Sequence, residues 1–200
     1  MGRAGYGKYP PQSYTWALRP AAADWAGEII RVTDVGVIGS YWISDGTRWT
    51  LLNGSVVLAQ SATPVSVPAN TDEATLATIS IKGGMMGISG VLRVLALFSE
   101  TASTNAKTHR VKLGVTTFAS LVVTAGTVVT AGLWPSIYNR QAANSQVCHP
   151  SGAVVGTSAA AVVTGTIDTS ADADLTITGQ KASGAETLTL QAYTVELLTP

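Results

Sequence analysis

The stretch ETLTLQAYTVEL, residues 186–197, decides the fold class. Successive side chains of an extended strand point to opposite faces, so Leu188, Leu190, Ala192 and Thr194 share one side. Thr187, Thr189, Gln191, Tyr193 and Val195 take the other. A helix needs apolar residues three and four apart, and this stretch repeats every two. The same signature recurs upstream in VVLAQS, TLATISI, VLRVLALFS, THRVKLGVT, FASLVVT, LWPSIYNR, SQVCH, AAVVTGTI and DLTITG. Turn-rich pieces such as IKGGMMGISG and TASTNAK separate these segments. About eight to ten such strands over residues 56–200 predict an antiparallel, jelly-roll-like all-β sandwich.

The front of the chain is built differently. Of the 13 aromatic residues, 8 precede residue 56. Residues 1–19 mix Gly2, Gly5, Gly7, Pro10 and Pro11 with Tyr6, Tyr9, Tyr14 and Trp16, and carry Arg3, Lys8 and Arg19 with no acid. Such a segment forms neither a stable helix nor its own core, so it reads as an extended arm held by contacts. Its aromatics suit pockets on a partner protein, with Tyr6, Tyr9, Tyr14, Trp16 and Arg19 as the anchoring residues. Three cations are too sparse for a nucleic-acid groove.

Residues 20–55 form a small knob. Pro20 sits at a plausible helix start, and AAADWAG makes a turn or two of helix closed by Gly27. EIIRVTDVG follows as a strand. In YWISDGTRWTLLNG, residues 41–54, an Asp45-Gly46 pair between apolar runs predicts a hairpin with a type I′ turn. Trp42 and Trp49 lie at nearly equal distance from that turn and pair across it, with Trp25 completing the knob's packing.

Composition narrows the class. The 200 residues carry 12 basic and 12 acidic side chains, only 12% charged, with mean hydropathy +0.28. No apolar run approaches the roughly 18 residues of a spanning helix, and the start lacks the apolar core of a secretion signal, so the expectation is a soluble, unexported protein with no membrane partner. A neutral balance argues against nucleic acid. Weak charge leaves little repulsion between copies, which points to a surface covered by partners or by the chain itself. The single Cys148 excludes an internal disulfide.

Catalytic and metal signatures fail on spacing. Cys148 and His149 are adjacent, so on a strand they face opposite ways and share neither a metal nor a proton. His109, in THRVK, reads as a solvent-facing residue at a charged strand edge. Asp168, Asp172 and Asp174 are the best calcium candidates, but DTSADADL lacks the glycine and final glutamate of an EF-hand loop, so they read as solvated turn acids. Glu100, Glu186 and Glu196 give no basis for a glycosidase pair. GISG at residues 87–90 lacks the rest of a nucleophile elbow. The expectation is no enzyme, no metal and no cofactor.

GEIIRVTDVGVIGSYWISDGTRWTLLNGSVVLAQS, ATISIKGGMMGISGVLRVLALFS, AKTHRVKLGVTTFASL and LTITGQKASGAETLTLQAYTVEL together resemble a broad set of tailed-bacteriophage virion proteins, the head or tail fibre and decoration proteins. The resemblance covers roughly residues 27–198 and rests on the SDGTRW knob combined with an Ala/Thr/Val-rich β domain. It implies a homotrimer on the outer surface of the particle, a head fibre or capsid decoration protein. The arm would then bind the major capsid protein or another virion protein. The alternative is a tail-fibre receptor- or carbohydrate-binding module whose ligand is a host-surface glycan.

Overall fold

A computed structural model describes residues 10–149 and 160–199. Among these residues strands dominate, and they form three sheets. The first is a four-stranded sheet of β1 (Ser13–Tyr14), β2 (Ile29–Val32), β3 (Ser40–Ser44) and β4 (Trp49–Leu51). β1 runs parallel to β2, and the rest is an antiparallel meander.

The other two sheets make the sandwich. The larger one contains β5 (Ser55–Ser61), β16 (Leu188–Leu198), β8 (Val91–Glu100) and β12 (Ser136–Asn139) in that spatial order, and continues through β13 (Gln146–Cys148) to β14 (Val163–Gly165). β11 (Thr130–Leu133) also pairs with β8, and β6 (Val65–Ser66) pairs with β16. The smaller sheet has the order β7 (Ala74–Ile81), β15 (Ala173–Lys181), β9 (Lys107–Leu113), β10 (Thr116–Val123). Following the chain, β5 lies in the large sheet, β7 in the small, β8 in the large, β9 and β10 in the small, β12 in the large, β15 in the small and β16 in the large. That nesting is the double Greek key of a jelly roll, as the strand pattern predicts.

Between the sheets lie Leu92, Val94, Ala96 and Phe98 of β8, Val111 and Leu113 of β9, and Leu175 and Ile177 of β15, each at most 1% exposed. Where LWPSIYNR predicts one strand there are two. Pro135 has no N–H for the ladder, so although its carbonyl still accepts the Val94 amide at 3.0 Å, the strand is interrupted at Trp134 and Pro135 and resumes in the same register, from Leu133 opposite Ala96 to Ser136 opposite Arg93.

β16 departs from simple alternation. A bulge between Leu190 and Ala192 resets its parity, so Leu188, Leu190, Val195 and Leu197 all face the core while Ala192 and Thr194 face out. The expected grouping of Ala192 and Thr194 with Leu188 and Leu190 is therefore corrected: one extra residue turns every later side chain over.

The arm expected over residues 1–19 is also corrected in its second half. Gln12 O and Tyr14 O accept the Arg31 and Thr33 amides at 2.9 Å each, so this segment is an edge strand of the first sheet. Trp16 follows on a single 3-10 turn, Trp16–Leu18, and is buried. The first sheet is fastened to the sandwich: Trp16 Nε1 donates to Gly83 O at 2.8 Å, the Leu51 amide to Thr199 Oγ1 at 3.0 Å, and the Val37 amide to Val57 O at 3.2 Å. One continuous apolar core runs through both parts.

Candidate functional site

The tryptophan knob is set by its turn. Gly46 has φ +88°, but Asp45 does not share a positive φ, so the expected type I′ turn is replaced by a wider loop. The Asp45 carboxylate accepts the amides of Thr47 at 2.7 Å and Arg48 at 2.8 Å, and the Asp45 amide donates to Arg48 O at 3.1 Å. Those amides, Arg48's first, hold the Asp45 carboxyl below its ordinary range. The register then places Trp42 opposite Leu51 and Trp49 opposite Ser44, so the two tryptophans are diagonal neighbours on one face. Trp42 takes Trp16 as its ring partner, with centroids 4.6 Å apart.

Each buried indole is satisfied, as buried Trp N–H groups require. Trp42 Nε1 donates to Ser40 Oγ and Trp49 Nε1 to Pro20 O, both at 2.8 Å. Trp25, on the 3-10 turn Ala22–Trp25, meets Tyr14 edge-on at 6.2 Å. Arg19 lays its guanidinium over the Trp16 ring at 3.7 Å and donates to Trp16 O. Of the predicted anchoring residues, the structure thus brings Tyr14, Trp16 and Arg19 into the knob itself. Trp16, 4% exposed, packs at home and is closed to a partner's pocket. Tyr6 and Tyr9 lie outside the described residues.

An open cleft at the knob's rim is lined by Arg19, Pro20, Ala22, Arg48 and Trp49. Both of its cations are already engaged, Arg48 by Asp45 at 3.3 Å and Arg19 by Trp16. Cys148 is buried, with burial pushing its thiol up, while His149 is exposed, so the two are kept on opposite faces. Asp172 accepts from Lys82 Nζ at 3.0 Å and the Gly83 amide at 2.8 Å, and Asp168 accepts from the Ser170 amide at 2.9 Å. These acids tie a loop together. Among the described residues no group of His, Cys, Asp and Glu is placed to hold a metal.

The structure gathers one cluster that sequence reasoning missed. His109, expected to face solvent at a charged strand edge, points inward together with Lys107, because β9 alternates with Val111 and Leu113 and those two are core. His109 Nε2 lies 2.8 Å from Glu100 Oε2 with both side chains fully buried. The approach is off the axis of a well-formed hydrogen bond, and both Glu100 oxygens lack an aligned donor. Burial raises the Glu100 carboxyl and lowers the His109 imidazole, so both directions favour a neutral pair sharing one proton. The other ring nitrogen, Nδ1, is 3.3 Å from Leu121 O, which accepts if Nδ1 carries the second hydrogen.

Beside this pair, Lys107 Nζ donates to Ser103 Oγ at 2.6 Å and stands 3.5 Å from Glu186 Oε2. Ser103 Oγ–H donates to Glu186, and with Asn105 and Lys107 holds that carboxyl below its ordinary range. Lys181 Nζ donates to Glu186 O at 2.7 Å. The cluster closes one end of the sandwich, where β8, β9, β15 and the turn into β16 converge. Its inner members are closed off from solvent: Glu100, Lys107, His109 and Lys181 are each at most 6% exposed.

The outer faces of the two sheets differ. The smaller sheet presents Thr78, Ser80, Thr176, Arg110 and Lys112, with Glu73 across the two cations at 3.3 and 2.5 Å. The larger sheet presents Leu95 and Leu97, each 47% exposed, beside Trp134 at 68% and Tyr138 at 47%. Toward one end of the β8–β16 ladder the same face carries a charge pair, Arg93 Nη1 to Glu196 Oε2 at 3.4 Å.

No family model matches the chain, and no curated protein matches it. Among solved structures, the chain is similar to one from the structure of infectious bursal disease virus Gx strain, at 13% identity and TM-score 0.24 over 72% of this chain. The alignment spans 40% of that viral chain's length. A superposition at that level identifies no shared architecture.

Proposed function

We propose that this chain is a structural component of a bacteriophage virion, a head fibre or capsid decoration protein that works by assembly and carries no catalysis. The observation that carries the reading is the combination of a jelly roll with one broad apolar outer face. Viral capsid domains are a recurrent use of the jelly roll, although a fold hosts many functions and the argument must come from the site. Here the groups able to do chemistry are spent on internal contacts, while Leu95, Leu97 and Trp134 are left in water. An exposed apolar sheet face marks a surface for another macromolecule.

Attachment to the particle falls to the segment ahead of Ser13, which carries Arg3, Tyr6, Lys8 and Tyr9, since Tyr14, Trp16 and Arg19 are engaged in the knob. Its partner is the major capsid protein or another virion protein, and the sandwich projects from the outer surface. Removing residues 1–9 tests this. Purified particles assembled with the truncated chain should lack it, while the truncated protein keeps its unfolding midpoint. Normal occupancy of the truncated chain on particles sinks the anchoring role.

One observation favours a second reading, a tail-fibre module binding a host glycan: Trp134 is 68% exposed, as a sugar-stacking platform requires. A glycan array separates the two. Binding lost on Trp134→Ala supports the glycan reading, and no binding leaves the structural one.

A further inference from the structure

The outer face of the larger sheet has an internal order that names its occupant. Across the β8–β16 ladder, Arg93 stands opposite Glu196, Leu95 opposite Thr194 and Leu97 opposite Ala192. All six point outward, since Leu92, Val94, Ala96, Val195 and Leu197 between them are core. Each row therefore pairs a larger or cationic side chain on β8 with a smaller or anionic one on β16. A two-fold axis lying along the strands, midway between β8 and β16, exchanges the two strands when it brings a second copy face to face. Every Arg93 then meets the partner subunit's Glu196, and Leu95 and Leu97 enter the space over the partner subunit's Thr194 and Ala192.

We propose that this face is covered by the same face of a second copy, giving a two-fold dimer centred on Arg93, Leu95, Leu97 and Glu196. The inference rests on the reading of the chain as an assembling protein and specifies the surface and symmetry. It replaces the threefold arrangement implied by the resemblance with a two-fold one, because a self-complementary patch closes on itself. Four strands about 4.8 Å apart and nine residues long give roughly 550 Å² in projection. Accessible area exceeds projected area, which brings the face toward the ~800 Å² per partner of a standard interface. The apolar centre of Leu95 and Leu97, flanked by the Arg93–Glu196 row at one end and by Ser99 and Thr189 at the other, with Gln60 to the side, matches the anatomy of such interfaces. The smaller sheet's outer face, with Arg110, Lys112 and Glu73, lacks this order and stays in water.

Charge reversal tests the geometry. The full-length chain is expected to sediment as a dimer at micromolar concentration, and Leu97→Lys as a monomer with an unchanged unfolding midpoint. Arg93→Glu alone and Glu196→Arg alone each set like charges face to face across the axis, so each is expected to be monomeric. Mixed in equal amounts they should recover the dimer, because each then offers the other the opposite charge at both positions. The chain carrying both changes should dimerise like the parent. A parent that is monomeric at tens of micromolar, a trimer whose mass ignores Leu97→Lys, or single variants that fail to recover on mixing would each overturn the proposal. Incorporation into particles is read separately: a monomer that still enters particles sinks the interface and leaves the structural role, whereas a dimer absent from particles sinks the structural role and leaves the interface.

Discussion

Outward from β9, Arg110 and Lys112 close on Glu73 at 3.3 and 2.5 Å, with 22–30% of each side chain in water. Inward from the same strand, Lys107 and His109 close on Glu186 and Glu100 at 3.5 and 2.8 Å, with 0–9% in water. The residue types and distances are similar, and the solvent differs. Water screens the outer group and leaves it optional, since an exposed pair is worth about 0–1 kcal/mol. The inner group is obligatory: a buried charge or acid that loses its partner keeps the full penalty of leaving water. Two networks a few residues apart on one strand therefore predict very different responses to the same kind of substitution.

The largest effect is expected for Glu100→Ala, which strands the His109 ring nitrogen in the core. Denaturant unfolding should show a loss of about 3–5 kcal/mol. A loss below about 1 kcal/mol, the range of an exposed pair, would erase the distinction between the two faces. Lys107→Met should follow at about 3 kcal/mol, because Ser103 and Glu186 lose their buried donor. Combining it with Glu186→Gln should recover most of that loss, since a neutral amide no longer needs the cation. A double variant no better than the single would show that Lys107 stabilises through its packing alone.

The pH dependence is expected next in size. Burial raises the folded Glu100 carboxyl above its ordinary 4.5 and lowers the folded His109 imidazole below its ordinary 6.5. The Glu100 contribution is full below pH 4.5 and is lost as pH rises through the folded carboxyl's raised value, because the unfolded chain gives up its proton first. The His109 contribution is full above pH 6.5 and is lost as pH falls through the folded imidazole's lowered value, because the unfolded chain takes up its proton first. Neither slope exceeds about 1.4 kcal/mol per pH unit. Glu100→Gln keeps a donor for His109 but removes the titrating acid, so it should remove the loss that sets in as pH rises past 4.5. A loss there that persists in that variant would assign it to another group.

The smallest effect is expected outside. Burial works against the Glu73 carboxylate, yet Lys112, Thr178 and Arg110 hold it below its ordinary range. Glu73→Gln should lose less than about 1 kcal/mol, and less again at high salt. A salt-independent loss larger than that would mean the outer network is shielded, as it would be beneath a partner.

The hairpin, the strand segments, the Cys148–His149 separation and the jelly-roll class were legible along the chain, because each follows from local periodicity or turn chemistry. His109 was legible too, had the period of two been carried back from Val111 and Leu113 past the charged letters of THRVK. Nothing local announced the bulge at Gln191, which turns Ala192 and Thr194 outward, or the meeting of Glu100 with His109 across the sandwich. Those depend on register between strands distant in sequence. Trp16 makes the same point: in a Gly/Pro-rich arm it reads as an anchor for another protein, and only the tertiary fold supplies the Trp42 ring and the Gly83 carbonyl that take it in. By itself the sequence determined that this chain is a sandwich of short strands with a tryptophan-rich front, since backbone geometry couples side-chain period to strand. Which charged residues are buried, and which apolar ones are left in water, was decided by pairing at long range, where the energy of a side chain depends on what the rest of the chain brings to meet it.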